Sequence, residues 1–197
     1  MSSFDGKGCD VRYHRADVVD RALTVLDAYG LADLTMRRLG GELGVQPSAL
    51  YHHFPNKQSL LAAAADEILA RGRRTPRPSG WDARVEAVCI ELRDAMLAYR
   101  DGAELVATVR SFGLGAATPY DELADALKDG GLDPSLVPTA ARTLLHFVFG
   151  HVVDEQTHLQ AGSVGAIEDA PRDDSDFALG LRIVVDGIRL LAGAHTP

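Results

Sequence analysis

The chain is short of several things, and each shortage excludes something. Cys9 and Cys89 are its only cysteines in 197 residues. Two are too few for a disulfide framework and fit a reducing compartment. No apolar run approaches the ~20 residues that a membrane helix needs. The opening segment lacks the apolar core of a secretory signal, so a cytoplasmic location with no membrane contact is expected. Aromatic residues make up only 6% of the chain. Basic residues are outnumbered, with 20 Lys and Arg against 28 Asp and Glu and a net charge of -8. That balance argues against indiscriminate coating of nucleic acid. A Gly-rich phosphate loop, a GxSxG elbow and a CxxC pair are all missing, so no enzyme is expected.

What remains is a helical composition. Hydrophobic residues reach 46% and Ala and Leu dominate, which favours helix. No segment alternates as a strand, so the fold class is all-α. Charge is unevenly spread. Residues 1–75 carry ten basic and nine acidic side chains, whereas 76–197 carry ten and nineteen. A near-neutral head on an acidic body leaves room for a local contact between the head and an acidic partner.

Residues 1–12 read as a frayed polar tail. Val18, Ala22, Val25/Leu26 and Tyr29 recur at helical spacing from about Arg15, and Gly30 stops that helix. Thr35 caps a second helix through Met36, Leu39 and Leu43, ended by Gly44. Gly40 and Gly41 each cost it about 1 kcal/mol relative to Ala, which suggests another backbone close by. A short helix follows from Pro47 to His53, closed by Pro55. Asn56 caps a fourth, with Leu60/Leu61, Ala64/Ala65 and Ile68/Leu69 repeating every four residues. The basic, Pro-containing stretch RGRRTPRPSG (71–80) breaks the pattern and marks the domain junction. Further helices are expected from Trp81 to Tyr99, Asp101 to Arg110, Thr118 through Leu127, Asp133 to Gln160 and Ser175 to Leu191. A loop is expected at 111–117 and a mobile stretch at 161–174.

Two elements carry most of the information. The first is TMRRLGGELGVQPSALYHHFPNK (35–57), two short helices joined through LGV and held by Leu39, Leu43, Val45 and Leu50. That is a helix-turn-helix pattern. Its second helix offers Gln46, Ser48, Ala49, Tyr51, His52 and His53 to base edges and phosphates. Thr35, Arg37, Arg38, Pro47 and Lys57 flank them, and Arg12, His14 and Arg15 form a basic arm. An αα-corner in an ordinary helical protein gives the same pattern. The second element is the last helix, where Phe177, Leu181, Val184, Ile188 and Leu191 form a heptad-like row. Leu179, Ile183 and Leu190 form a second apolar row. With Val148 and Val152 of the preceding helix, this reads either as two helices buried in one domain or as an intersubunit four-helix bundle.

The stretch from Ala16 to Leu69 resembles the DNA-binding domain of the tetracycline-repressor (TetR) family. Leu39, Leu43-Gly44-Val45, Leu50-Tyr51, His53-Phe54, Asn56-Lys57 and Leu60-Leu61 carry the likeness. Trp81, AYRDGA (98–103), HFVFGHVVDEQTH (146–158) and FALGLRIVVDGIRL (177–190) resemble the family's ligand-binding domain. The resemblance implies a flexible tail at 1–13, a DNA-binding domain at 14–72 with a connecting helix at 56–72, and a ligand-binding and dimerisation domain at 73–197. It implies a transcriptional regulator, most simply a repressor, that meets a double-stranded palindromic operator as a homodimer. Tyr51 and Lys57 are then expected at the DNA backbone, and Val148, Val152, Phe177, Leu181, Val184 and Ile188 at the dimer interface.

The same resemblance places Arg73, Val88, Leu92, Val106, Val109, Ala126, Phe147 and Asp154 around a ligand pocket. Val88 stands where tetracycline repressors carry an Asn, and Val106 where they carry a metal-binding His. Apolar groups cannot ligate magnesium or accept the drug's hydrogen bonds. The expected inducer is therefore small, largely apolar and not tetracycline, with Arg73 as an anionic anchor. No cofactor or resident metal is expected. His151, Asp154, Glu155 and His158 share one helix face at metal-compatible spacing, but a polar stripe explains them equally. A helical small-molecule or metal-binding protein with vestigial DNA binding stands as the alternative function.

Overall fold

The computed structural model describes residues 13–163 and 176–193. Nine helices and no strand occur among them. The expected tail at 1–12, including Arg12, lies outside the described residues. So do 164–174 of the expected mobile stretch, whose first three residues instead finish a helix, and Ser175, the expected start of the last helix. No helix among the described residues is long and apolar enough to cross a membrane.

The head forms from local signals. In α1 (Arg15–Tyr29), the His14 backbone N–H donates to Asp17 Oδ2 at 2.7 Å, and Gly30 at φ 85° ends the helix. α2 (Met36–Leu43) starts where Thr35 Oγ1 accepts the Arg38 N–H at 3.1 Å. α3 (Pro47–Leu50) is a single turn, shorter than expected. The Leu50 carbonyl accepts both the His53 and Phe54 N–H groups, so residues 51–53 close as a turn. α4 (Lys57–Gly72) is capped by Asn56, whose Oδ1 accepts the Ser59 N–H at 2.8 Å. Val18, Ala22 and Leu26 of α1, Leu39 of α2, Leu50, Phe54, and Leu60, Ala64 and Ile68 of α4 are all buried. Gly40 explains half of the glycine pair. A Cβ there would lie 2.9 Å from the Val45 carbonyl oxygen and 3.3 Å from the Pro47 nitrogen, whereas Gly41 faces open space.

The body comprises α5 (Trp81–Leu97), α6 (Gly102–Ser111), α7 (Thr118–Asp129), α8 (Val137–Ser163) and α9 (Phe177–Gly193). α5 is the central helix, packed on α4, α6, α7, α8 and α9. Val85, Cys89, Leu92 and Met96 are its buried stripe. Burial pushes the Cys89 thiol up to about 12, which leaves it inert at neutral pH. α4 reaches α5 at its far end, where a Cβ on Gly72 would lie 2.5 Å from Ala95 Cβ.

The α5–α6 turn ties head to body. Asp101, at φ 55°, accepts the Leu31 N–H through Oδ2 and the Gln160 amide of α8 through Oδ1, both at 2.7 Å. The Arg100 N–H donates to Asp27 of α1 at 3.1 Å. Buried Gln156 accepts the Ala103 N–H and donates to the Tyr99 carbonyl, both at 3.0 Å. The side chain of Arg71 at the end of α4 pairs with Asp20 of α1 and Glu67, and donates to the Tyr99 hydroxyl of the body. Those hydrogen bonds, Glu67 first, push the Arg71 pKa upward.

Candidate DNA interface and core cavity

The recognition surface is small because α3 is small. Gln46, Ser48, Ala49 and Tyr51 to His52 are exposed around it, with Tyr51 50% accessible, while Leu50 faces the core. Pro47, His53 and Lys57 are half-buried on the same segment. Tyr51 is therefore a large aromatic held outward on a rigid turn, suited to packing against a sugar–phosphate backbone. Arg37 and Thr35 are exposed on the edge of α2.

The neighbouring cations differ in how they are used. Arg38 turns back onto α1, with its guanidinium 3.5 Å from the Tyr29 ring centroid and 3.4 Å from Asp33. Its Nε has no hydrogen-bond partner among the described residues. Arg15 lies 4.7 Å from the centroid of the Phe54 ring, over the buried end of the recognition segment. Arg37 and Lys57 are thus the cations best placed for phosphates.

The far end of α4 opens onto a second feature. A cavity of about 80 Å³ sits between α4, α5 and α7. Its apolar wall is Leu69, Val88, Leu92, Ala95 and Pro119, and its charged wall is Asp66, Arg73, Arg77, Glu91 and Glu122. Arg73, Val88 and Leu92 of the expected pocket line it. Val106, Val109 and Ala126 are buried in the packed core outside this wall. Phe147 stacks on Phe177 with centroids 5.5 Å apart, and Asp154 is exposed on α8.

The arginines of 71–80 each hold a carboxylate, although Arg73 and Arg74 stay more than half exposed. Arg74 pairs with Asp94 at 2.6 Å. Arg73 meets Glu122 Oε1 at 2.5 Å, and Arg77 bridges Glu91 Oε1 and Glu122 Oε2 at 2.6 Å each. Burial lowers the Arg77 pKa, but the hydrogen bond to Glu91 and the charges of Glu122 and Glu91 more than offset it, so the net shift is upward. Glu91 and Glu122 were missed by sequence reasoning. Glu91 does carry a signal, since it shares the 88, 91, 92, 95 face of α5 with three apolar cavity residues.

Val106 is fully buried and offers no ligand atom, and Val88 is 5% exposed and apolar. No group of three or more His, Cys, Asp or Glu that could hold a metal occurs among the described residues. In the 151–158 stripe, Glu155 is held by Arg93 of α5 at 2.5 and 3.0 Å.

The last helix shows its two apolar rows plainly. Phe177, Leu181 and Ile188 are buried, as are Val148 and Val152 of α8, and Val184 is half-buried. Most of this row is covered within its own subunit, where Phe177 finds the Phe147 and His151 rings, while Leu191 at its end is 49% exposed. The other row is left outward, with Leu179 56%, Ile183 66% and Leu190 77% exposed, and Val153 and Leu159 of α8 are exposed as well.

A helix-turn-helix head carried on a helical body defines the class of DNA-binding transcription regulators. Comparison with known proteins agrees. The model "Bacterial regulatory proteins, tetR family" matches residues 18–64, and "Tetracyclin repressor-like, C-terminal domain" matches 75–173. The tetracycline repressor protein class A from transposon 1721 of Escherichia coli is 34% identical over 195 residues, spanning 87% of this chain and 88% of its own length. Among solved structures, Mycobacterium smegmatis BioQ is 41% identical with a TM-score of 0.85, covering 91% of this chain and 99% of that one. BioQ bound to its natural double-stranded DNA operator is 40% identical with a TM-score of 0.79, covering 90% and 99%. The chain belongs to the TetR family of bacterial transcription regulators.

Proposed function

We propose that the chain is a ligand-responsive repressor that binds a palindromic operator as a homodimer and is released by a small, largely apolar inducer other than tetracycline. One observation carries the reading. α4 begins with Lys57 beside the recognition turn and runs into Arg73 in the cavity wall. Its sixteen residues make a rod of about 24 Å. Displacement at one end is therefore felt at the other. A dimer must present its two recognition turns about 34–36 Å apart to read successive major grooves. A ligand that prefers a different tilt of α4 changes that spacing and weakens operator binding, and such couplings are typically about 1–3 kcal/mol.

The outward row Leu179, Ile183 and Leu190, with Val153 and Leu159, supplies the dimer face, because apolar surface of that extent is normally covered. The operator found with BioQ supports double-stranded DNA as the partner. Whether binding represses or activates a given gene depends on where its operator lies. Gly40 is needed for the close crossing of α2 and α3, which favours an intact helix-turn-helix over the vestigial-DNA alternative. The test is selection of bound fragments from sheared source-genome DNA at a stated salt concentration. Enrichment of a palindromic site supports the reading. Ligand-free protein that enriches nothing overturns it.

A further inference from the structure

The cavity between α4, α5 and α7 is narrow. At about 80 Å³ it is far smaller than the ~300–1,000 Å³ of ordinary ligand pockets. Any ligand must displace part of the wall, and the wall is divided. Its acidic groups are fixed on helices, with Asp66 on α4, Glu91 on α5 and Glu122 on α7. Its basic groups, Arg73 and Arg77, sit on the helix-free connection 73–80. The part that can leave is cationic, and the part that stays is anionic.

We propose that this cavity takes a ligand with a compact apolar body and a cationic nitrogen, an amine, amidine or guanidine, which replaces Arg77 between Glu91 and Glu122. The inference rests on the cavity being the inducer site. Arg77 is then a built-in competitor, a guanidinium that occupies its own protein's cation site. Glu91 is only 8% exposed and its hydrogen-bond partner is Arg77. A neutral or anionic ligand that pushed Arg77 out would strand that carboxylate, a costly arrangement. A cation restores the pair, while the released Arg77 is solvated at the surface. The apolar part of the ligand rests on Leu69, Val88, Leu92 and Pro119. Glu122 makes the exchange visible to the DNA head. One of its oxygens holds Arg77 and the other holds Arg73, the residue that ends α4. This corrects the expectation of Arg73 as an anionic anchor, since its charge is already met by Glu122.

The test is titration calorimetry of the full-length protein with n-butylguanidinium, n-butyrate and n-butanol at equal ionic strength. The wild type should bind the guanidinium in preference to the other two. Arg77→Ala should bind it at least about tenfold more tightly, because the competing state is removed. Glu91→Gln and Glu122→Gln should each lose about tenfold. Arg77→Met keeps the aliphatic packing and serves if Arg77→Ala does not fold. Butyrate or butanol binding as well as the cation would overturn the proposal. So would unchanged cation affinity in a folded Arg77 variant, or no binding of any of the three. Operator affinity is measured separately without additives. Its loss would sink the repressor reading alone, and intact operator binding with no cation effect would sink this inference alone.

Discussion

The recognition turn and the body differ in how their cations are partnered. From Arg71 to Arg93, each arginine holds a carboxylate on another element or turn. The body's charge is therefore spent inside the protein, and its surplus is acidic. In the head, Arg37 and Lys57 are left at the rim of the recognition turn, while the core beneath is purely apolar. A protein with a net charge of -8 can thus still present a locally basic face. The lesson is that net charge speaks to steering and solubility, whereas the distribution of partners decides where an anion can dock.

The largest expected effects come from breaking either core. Phe54→Ala removes a ring with no exposure and should cost about 3–5 kcal/mol, abolishing operator binding by melting the head. Chemical denaturation followed by near- and far-ultraviolet circular dichroism checks it. Ile183→Glu should leave the subunit folded but split the dimer, because that side chain is 66% exposed. Sedimentation analysis then shows monomers, with operator affinity lost. Phe177→Glu, on the inward row, should unfold the protein instead, and this contrast tests the assignment of the two rows.

Smaller effects sharpen the comparison. Asp101→Ala deprives the Leu31 N–H and the Gln160 amide of their acceptor. A loss of about 1–3 kcal/mol is expected, together with faster amide exchange at the start of α2 as the head loosens. Tyr51→Ala should weaken operator binding by about tenfold to a hundredfold with the dimer intact. Lys57→Ala should weaken it evenly across sequences and lower the slope of affinity against salt by about one. If either kept wild-type affinity at the same salt, the recognition surface is misplaced. The smallest effect concerns pH. The Arg189 guanidinium and the Ala83 N–H hold the Asp82 carboxyl below its usual range. That stabilisation is present above the ordinary carboxylate range and is lost as pH falls through the lowered value. Asp82→Asn should flatten the acid limb of a plot of thermal midpoint against pH.

How much of this was legible in the sequence depends on whether the signal is local. α1 begins and ends at the expected Arg15 and Tyr29, and Thr35 and Asn56 cap as expected, because caps and glycine stops act within one turn. α3 came out shorter, since the double use of the Leu50 carbonyl is a feature of the closed turn and leaves no pattern in the sequence. In α9 both rows are apolar, and periodicity cannot say which of them turns inward. The aromatic pair Phe147–Phe177 decides it, and that contact spans two helices. The charged cavity wall left no local pattern beyond Arg73, because the partners of Arg73 and Arg77 lie 14 to 49 residues away.

The central claim is that two outward recognition turns, carried by one dimer, read two half-sites. Its most direct test is the stoichiometry and footprint of the protein on a selected genomic fragment. The account predicts one dimer protecting two half-sites centred about one helical turn, 34–36 Å, apart or a multiple of it. A single protomer bound to an unpaired site, or protection without any defined boundary, would contradict it.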